Sequence, residues 1–135
     1  MSIPDRVAVL FANEAFYAAF ANRDYAAMDR LWSRQHPVTC IHPGWQPLIG
    51  REAVMQSWQG ILAHPSTPQI RCHDATAILQ GEVAYVLCYE VLENGHLAAT
   101  NIFVRESEVW RLVHHQAGAS PAPPAQEEDA PPPVQ

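Results

Sequence analysis

Apolar residues recur at three- and four-residue intervals through the first part of the chain. Val7, Leu10, Phe11, Ala15 and Phe16 form a stripe over residues 4–21, which predicts a helix with one apolar face. Ser2 and Asp5 stand at capping-box spacing around Pro4, a residue suited to a first helical turn. The run breaks at Asn22-Arg23-Asp24, where Asp24 is placed to cap a second helix whose Met28, Leu31 and Trp32 share a face. Residues 38–42 read as a strand. The two prolines and the glycine of His42-Pro43-Gly44-Trp45-Gln46-Pro47 prevent regular pairing and predict a loop. Gly50 opens a third helix, with Val54, Trp58, Ile61 and Leu62 along one stripe, which ends near His64-Pro65.

Beyond Gln69 the pattern changes to long β-type runs at 70–79, 82–92, 97–105 and 109–117, joined only by Gln80-Gly81, Asn94-Gly95 and Glu106-Ser107-Glu108. Links this short make hairpins, and Asn-Gly suits the turn that needs positive φ at both central positions. The second half is therefore an antiparallel meander. Three helices followed by a long curved sheet predict an α+β fold, with the helices covering one sheet face and closing one end of a cone.

Composition changes abruptly after Ala117. Residues 118–135 hold six of the chain's 12 prolines, three acids (Glu127, Glu128, Asp129) and one large aliphatic residue, Val134. Such a segment buries too little apolar area to offset its ordering entropy, so residues 1–117 are expected to form a single domain and 118–135 a disordered tail, the alternative for the tail being a strap docked on a neighbouring subunit. The net charge is -6, and the eight basic residues are all arginines scattered from Arg6 to Arg111. With no cluster to follow a phosphate backbone, nucleic-acid binding is not expected. Apolar runs fall short of the ~20 residues that cross a bilayer, and the start lacks a basic region leading into an apolar stretch. A cytoplasmic protein without membrane association is the expectation. Cys40, Cys72 and Cys88 are odd in number, widely spaced and set among apolar residues, which favours reduced core thiols over a disulfide framework.

The order of elements, with Asn22-Arg23-Asp24-Tyr25, the run from His42-Pro43-Gly44-Trp45 through Ile49-Gly50-Arg51-Glu52, and Trp110-Arg111-Leu112-Val113-His114-His115, resembles the nuclear-transport-factor-2-like superfamily. Within it the chain is similar to the polyketide-cyclase-like (SnoaL-like) proteins and to the association domain of calcium/calmodulin-dependent kinase. The likeness covers residues 4–117. It implies a cystatin-like roll with a pocket between the helices and the concave sheet face, and a homodimer formed through the convex face. Isomerases, dehydratases, cyclases and non-catalytic assembly modules share this cone, so the resemblance speaks to fold more than to function.

His42 matches the place where related ketosteroid isomerases carry a general-base aspartate before the same proline. Imidazole titrates near neutral pH and can take and return a proton without burial; the structural alternative is a histidine that orders the Pro43-to-Pro47 turn. The isomerase oxyanion donors have no counterpart, since the matching places hold Phe16 and Thr100 or Asn101. Tyr17, one position from Phe16, would point about 100° away on a helix. His114 and His115 are successive strand residues, so only one enters the pocket. Counting by twos groups His115 with Val113 and Ala117, and the resemblance turns that set inward and His114 to the convex interface. Tyr85, Leu87 and Tyr89 share a face suited to a pocket wall, Tyr89 offering a hydroxyl to a ligand, and Trp45 and Trp58 would form the mouth and one wall. A metal reading of His36, Cys40 and His42 lacks a second cluster of fixed spacing, and hydrolase, phosphate-binding and dinucleotide motifs are absent. The expected ligand is a small apolar molecule bearing a carbonyl or hydroxyl, transformed with no cofactor by isomerisation, dehydration or cyclisation. The alternative is a non-catalytic oligomerisation or ligand-sensing module.

Overall fold

The computed structural model describes residues 4–124. Three helices, α1 (Asp5–Ala21), α2 (Tyr25–Leu31) and α3 (Arg51–Ala63), lie against a six-stranded sheet of β1 (Thr39–Ile41), β2 (Leu48–Ile49), β3 (Arg71–Gln80), β4 (Val83–Leu92), β5 (Gly95–Glu106) and β6 (Val109–Ser120), in the order β2-β1-β6-β5-β4-β3. Strands β3 to β6 form the predicted antiparallel meander, and β1 joins it parallel to β6, pairing Thr39 with His114 and Cys40 with His115. This is the α+β architecture that the periodicities predict.

The helix signals are met with two exceptions, the cap of α1 and the face that it buries. Asp24 caps α2, its Oδ1 accepting from the Ala27 amide at 3.0 Å, and Gly50 precedes α3 with φ +97°. Pro4 precedes α1 with no side-chain cap, and Ser2 lies outside the described residues. The core-facing stripe of α1 is Val9, Asn13, Phe16, Tyr17, Ala19 and Phe20, wide enough to take in both Phe16 and Tyr17; of the expected stripe only Phe16 belongs to it, Val7 and Phe11 standing 42% and 61% exposed and Ala15 exposed too. It packs on β3 and β4 over a floor of small residues, including Ala77, Ala84, Val86 and Cys88, all buried.

Three local expectations need correction. The double positive-φ turn is at Ser107 (φ 49°) and Glu108 (φ 74°) between β5 and β6, whereas the link between β4 and β5 is Glu93-Asn94, with Gly95 already paired to Leu92. Strand β6 runs to Ser120, because Gly118, Ala119 and Ser120 pair with Ala98, Leu97 and His96, so regular structure passes the composition boundary at Ala117. The acidic part of the tail, 125–135, lies outside the described residues. Finally, β6 carries a bulge. Ile102 pairs with His114 but Phe103 with Leu112, which leaves Val113 as the extra residue. The bulge shifts the side-chain alternation by one position, so Trp110 and Leu112 share the buried face with His115 and Ala117. Val113, predicted to line the pocket beside His115, sits half-buried at the irregularity instead.

No helix among the described residues is long and apolar enough to cross a membrane.

Candidate functional site

Helix α1 covers one face of the meander, and polar side chains from four elements meet beneath it. Strand β5 places Asn101 there, fully buried, and its amide joins two halves of a network. Asn101 Nδ2 donates to Asn13 Oδ1 at 2.8 Å and to the Tyr17 hydroxyl at 3.2 Å. Its Oδ1 must then accept from His115 Nδ1, 2.6 Å away, which fixes the neutral histidine with its proton on Nδ1 and a lone pair on Nε2. Tyr17 passes its own proton to Glu90 Oε2 at 2.6 Å and receives the Cys88 thiol at 3.3 Å. Glu90 Oε2 lies 3.9 Å from His115 Nε2.

Burial sets the protonation states. Glu90 is 2% exposed with no arginine bonded to it, and desolvation raises its carboxyl above the usual range, an effect that the Tyr17 hydrogen bond partly offsets. Tyr17 is raised well above an ordinary phenol by burial and by the neighbouring carboxyl. His115 is pushed down to about 3, first by burial and then by His42 and His114. A carboxyl raised above its usual range, a phenol and a neutral imidazole therefore lie close together within an apolar interior, the kind of environment in which acid and base strengths are retuned.

His42 follows directly on β1, at the start of the Pro-Gly loop, and its ring turns inward: it is 4% exposed, and burial lowers it to about 4. The ring sits edge-on between Trp45 and Trp58, each at a centroid distance of 4.8 Å, and 6.3 Å from the ring of His115. Ser57, on α3, donates to the Val54 carbonyl at 2.6 Å, so His42 Nε2 is the donor in its 2.8 Å contact with Ser57 Oγ. The basic lone pair of His42 is then on Nδ1. Phe16 packs on Trp58 and His115 at 5.4 and 4.9 Å. The Trp58 indole N–H, enclosed by Phe16, His42 and His115, is buried without a hydrogen-bond partner.

The structure thus gathers His42, Phe16, Trp58, Asn101 and His115 inside, with Trp45 over His42 at the surface, 49% exposed. It does not bring Tyr85, Leu87, Tyr89 or Thr100 there. The buried face of β4 is Ala84, Val86, Cys88 and Glu90, so Tyr85, Leu87 and Tyr89 stand on the opposite, outer face, Leu87 at 45% exposure. Thr100 pairs with Leu87 and shares that outer face, which settles the choice between Thr100 and Asn101. The physical reason is steric, because a helix packs closely only on short side chains. Asn13, Tyr17, Ser57 and Glu90 are interior groups that the sequence reading misses. Asn13 is in phase with Val9, Phe16 and Phe20, and Glu90 with Ala84, Val86 and Cys88, and that phase is the signal that could have found them.

Surface cavities of about 200 to 670 Å³ lie on the outer sheet face, around α1 and at the rim, and none of these five is lined by His42, His115 or Glu90. One reaches the network from outside. A groove of about 310 Å³ between α1 and β3 is lined by Leu10, Asn13, Glu14, Cys72, Asp74 and Ala75, and Asn13 Nδ2 donates to Cys72 Sγ at 3.7 Å. Cys40 Sγ lies 3.6 Å from His42 Nε2, whereas His36 pairs with Glu106 at 2.6 Å, and among the described residues no group of three His, Cys, Asp or Glu is placed to hold a metal ion.

A family model for the SnoaL-like domain matches residues 9–123. The chain is 31% identical to a protein from Streptomyces avermitilis described as a dehydratase of the NTF2-like family, with a TM-score of 0.79 over 87% of this chain and 97% of that one. It is 32% identical to a protein from Thiobacillus denitrificans described as a calcium/calmodulin-dependent protein kinase type II association domain, with a TM-score of 0.72 over 81% and 92%. Among curated proteins it is similar to the F-box protein SKIP8 of Arabidopsis thaliana, 28% identical over 112 residues that make up 82% of this chain. The chain spans about half the length of that relative, 48%.

Proposed function

Because the chain belongs to the SnoaL-like domain family of the NTF2-like superfamily, we propose that its interior is a cofactor-independent proton-transfer site for a small, largely apolar molecule bearing a carbonyl or hydroxyl, of the isomerase, dehydratase or cyclase type. One observation carries this reading. Asn13 and Cys72, which line the surface groove between α1 and β3, are also the outer members of the hydrogen-bonded chain that runs through Asn101 and Tyr17 to Glu90 and His115. A ligand seated in the groove is linked through Asn13 and Asn101 to the neutral imidazole of His115, and onward through Tyr17 to the carboxyl of Glu90.

The roles follow from the donors and lone pairs. The unpartnered Trp58 N–H is a donor in need of an acceptor, which suits a ligand oxygen. Glu90, whose carboxyl burial raises above its usual range, stabilises charge that develops on that oxygen when protonated. His42, whose Nδ1 carries the lone pair and lies 3.9 Å from the Cys40 thiol, takes the proton from the carbon next to it. Phe16 and Trp58 exclude water, and Asn101 fixes the tautomer of His115. His42 shares the groove's network only through Trp58 and His115, so the substrate must part Phe16 from Trp58 to reach both ends.

Solvent-exchange NMR tests this. In deuterium oxide with a series of small cyclic and aromatic ketones, the protein is expected to speed exchange of the hydrogens beside the carbonyl, and His42→Ala to lose about a hundredfold of that acceleration while keeping its unfolding midpoint near the original value. Equal exchange by the variant removes His42 from the mechanism.

A second reading is favoured by the outer sheet face, where Leu87, Tyr89 and Thr100 line a groove of about 670 Å³ and Tyr85 stands on the same face. An apolar face of this kind suits a homodimer, and an assembly role needs no chemistry. Leu87→Glu is expected to shift the light-scattering mass to that of a monomer; a monomeric parent protein, or a variant of unchanged mass, overturns it.

A further inference from the structure

Three arginines that stand far apart in the sequence line one pocket. It lies between the end of α2 and the hairpin that joins β5 to β6, has a volume of about 370 Å³, and is lined by Arg30, Arg34 and Arg111. Glu106 is the one acid in that lining, and its Oε2 is already engaged by the Ser33 hydroxyl and by His36 Nδ1. None of the three arginines forms an ion pair with it among the described residues. The lining therefore carries three positive charges against one negative, in a chain whose net charge is -6. Arg111 Nη1 donates to the Arg30 carbonyl at 2.6 Å, which sets its guanidinium beside the end of α2 and leaves its other N–H groups without an acceptor among the described residues. The Arg30 guanidinium, in the last turn of α2, has no hydrogen-bond or ion-pair partner there at all. A basic residue in a last helical turn complements the helix carbonyls, but that explains Arg30 alone and not its two neighbours. Arg34 pairs with Asp29 Oδ2 at 2.6 Å, yet its side chain is 65% exposed, and an exposed pair of this kind is weak enough to be exchanged for another oxygen anion. Trp32 completes the wall, and its indole N–H is buried with no acceptor.

We propose that this pocket binds one phosphate dianion, either the free ion or the end group of a small phosphorylated molecule. A phosphate monoester carries a charge of about -1.5 to -2 at neutral pH and three strong acceptor oxygens, which matches the excess of positive charge in the lining. Guanidinium groups suit it, because their planar fork places two parallel N–H bonds on one phosphate. Arg30 and Arg111, unpaired with any carboxylate, supply those bonds, and Arg34 exchanges Asp29 for a third oxygen. Gln35 and Ser107 add an amide and a hydroxyl to the lining, donors for the body of a hydroxylated ligand, and the volume lies at the lower end of small-molecule pockets. The Glu106 carboxylate repels a second anionic group, which sets a single phosphate apart from a polyanion. A phosphate here ties the end of α2 to the β5–β6 hairpin. The pocket shares no lining residue with the groove between α1 and β3 or with the interior network, so the inference stands apart from the proposed catalysis.

Titration calorimetry of the full chain at constant ionic strength, with inorganic phosphate, glucose 6-phosphate and acetate as probes, tests this. Saturable binding of a phosphate at one site per chain is expected. Tighter binding of glucose 6-phosphate makes the occupant an organic phosphate, and tighter binding of inorganic phosphate makes it the free ion. Arg30→Gln and Arg111→Gln are each expected to weaken binding about tenfold or more, since each removes a charge-assisted hydrogen bond. Arg30 is exposed and without a partner, so its replacement leaves the fold intact. Arg71→Gln, which changes an exposed arginine outside the pocket, is expected to leave binding unchanged. In the assigned amide spectrum the bound phosphate is expected to shift the Trp32 indole N–H signal and to leave that of Trp58, inside the network, in place. Four results overturn the proposal: no saturable binding of either phosphate at millimolar concentration, acetate bound as tightly as phosphate, an equal loss in Arg71→Gln and Arg30→Gln, or a shift of Trp58 in place of Trp32. A duplex oligonucleotide that binds more tightly than both phosphates also overturns it, because the surface would then follow a phosphate backbone.

Discussion

Replacing Asn101 with leucine, a side chain of similar size, is expected to destabilise the protein by roughly 2–6 kcal/mol, because each buried polar partner left unsatisfied costs on the order of 1–3 kcal/mol. The amide serves three partners at once, His115 Nδ1, Asn13 Oδ1 and the Tyr17 hydroxyl. Tyr17 keeps Glu90 and Cys88 as partners, so its loss is small. His115 and Asn13 are left with a proton and a carbonyl oxygen facing hydrocarbon. For a domain whose whole stability is about 5–15 kcal/mol, this is a large fraction. Urea unfolding at neutral pH reads it directly, and Asn13→Leu with Asn101→Leu tests the account, since removing both members of a pair is milder than the sum of the single changes. A midpoint for Asn101→Leu within about 1 kcal/mol of the parent would mean that water or a rearranged His115 satisfies the network, and the tautomer argued for His115 would fall with it.

The same network shows where the sequence speaks and where it is silent. Helices and hairpins are legible because their signals are local: the stripe of Val54, Trp58 and Leu62 on α3, Asp24 before α2, and short links between long β runs; on α1 the periodicity gives the helix but not its buried face, since Val7 and Phe11 are exposed. Which face of a strand turns inward is not local. On β4 the outward set of Tyr85, Leu87 and Tyr89 is larger and as apolar as the inward set of Ala84, Val86, Cys88 and Glu90. Hydrophobicity alone therefore selects the wrong face, and only the presence of α1 above the sheet, which demands short side chains, reverses the choice. Thr100 is ambiguous for the same reason, its neighbour Asn101 being one residue and one face away. Counting by twos along β6 puts His115 on the correct face but joins it to Val113, because a bulge leaves no mark in the residue types. The 100° step between helical neighbours argues against Tyr17, although the buried stripe of α1 is broad enough to hold both it and Phe16. The resemblance to a known general-base position singles out His42, and its inward ring agrees with that placement; its hydrogen bond to Ser57, which moves the basic lone pair to Nδ1, depends on a helix farther along the chain.

Acid is expected to unfold this protein steeply, and the two inward histidines are the cause. In the unfolded chain both titrate near 6.5; in the fold His42 is held to about 4 by burial, and His115 to about 3 by burial and then by the charges of His42 and His114. Lowered values mean that the folded state binds fewer protons than the unfolded state below about pH 6.5. The stability contributed by the neutral rings is thus complete above that pH and is lost as pH falls toward the folded values. A tenfold change in proton affinity between the two states corresponds to about 1.4 kcal/mol, so the loss by pH 3 is on the order of 5 kcal/mol or more, and the slope between pH 6 and 4.5 approaches two protons, about 2.7 kcal/mol per pH unit. Glu90 acts in the opposite sense. Its raised value means that the folded state keeps a proton that the unfolded carboxyl releases, which costs stability as pH rises through the folded value. Urea midpoints from pH 7.5 to 4 separate these contributions. His42→Asn with His115→Asn is expected to flatten the acid limb to the gentler slope of the exposed groups, and Glu90→Gln to steepen that limb, because it removes a group whose contribution falls as pH rises from its unfolded value toward its raised folded one. An unchanged acid slope in the double histidine variant would mean that both rings are solvated in the folded protein, and neither could then serve as the buried base on which a proton-transfer site depends.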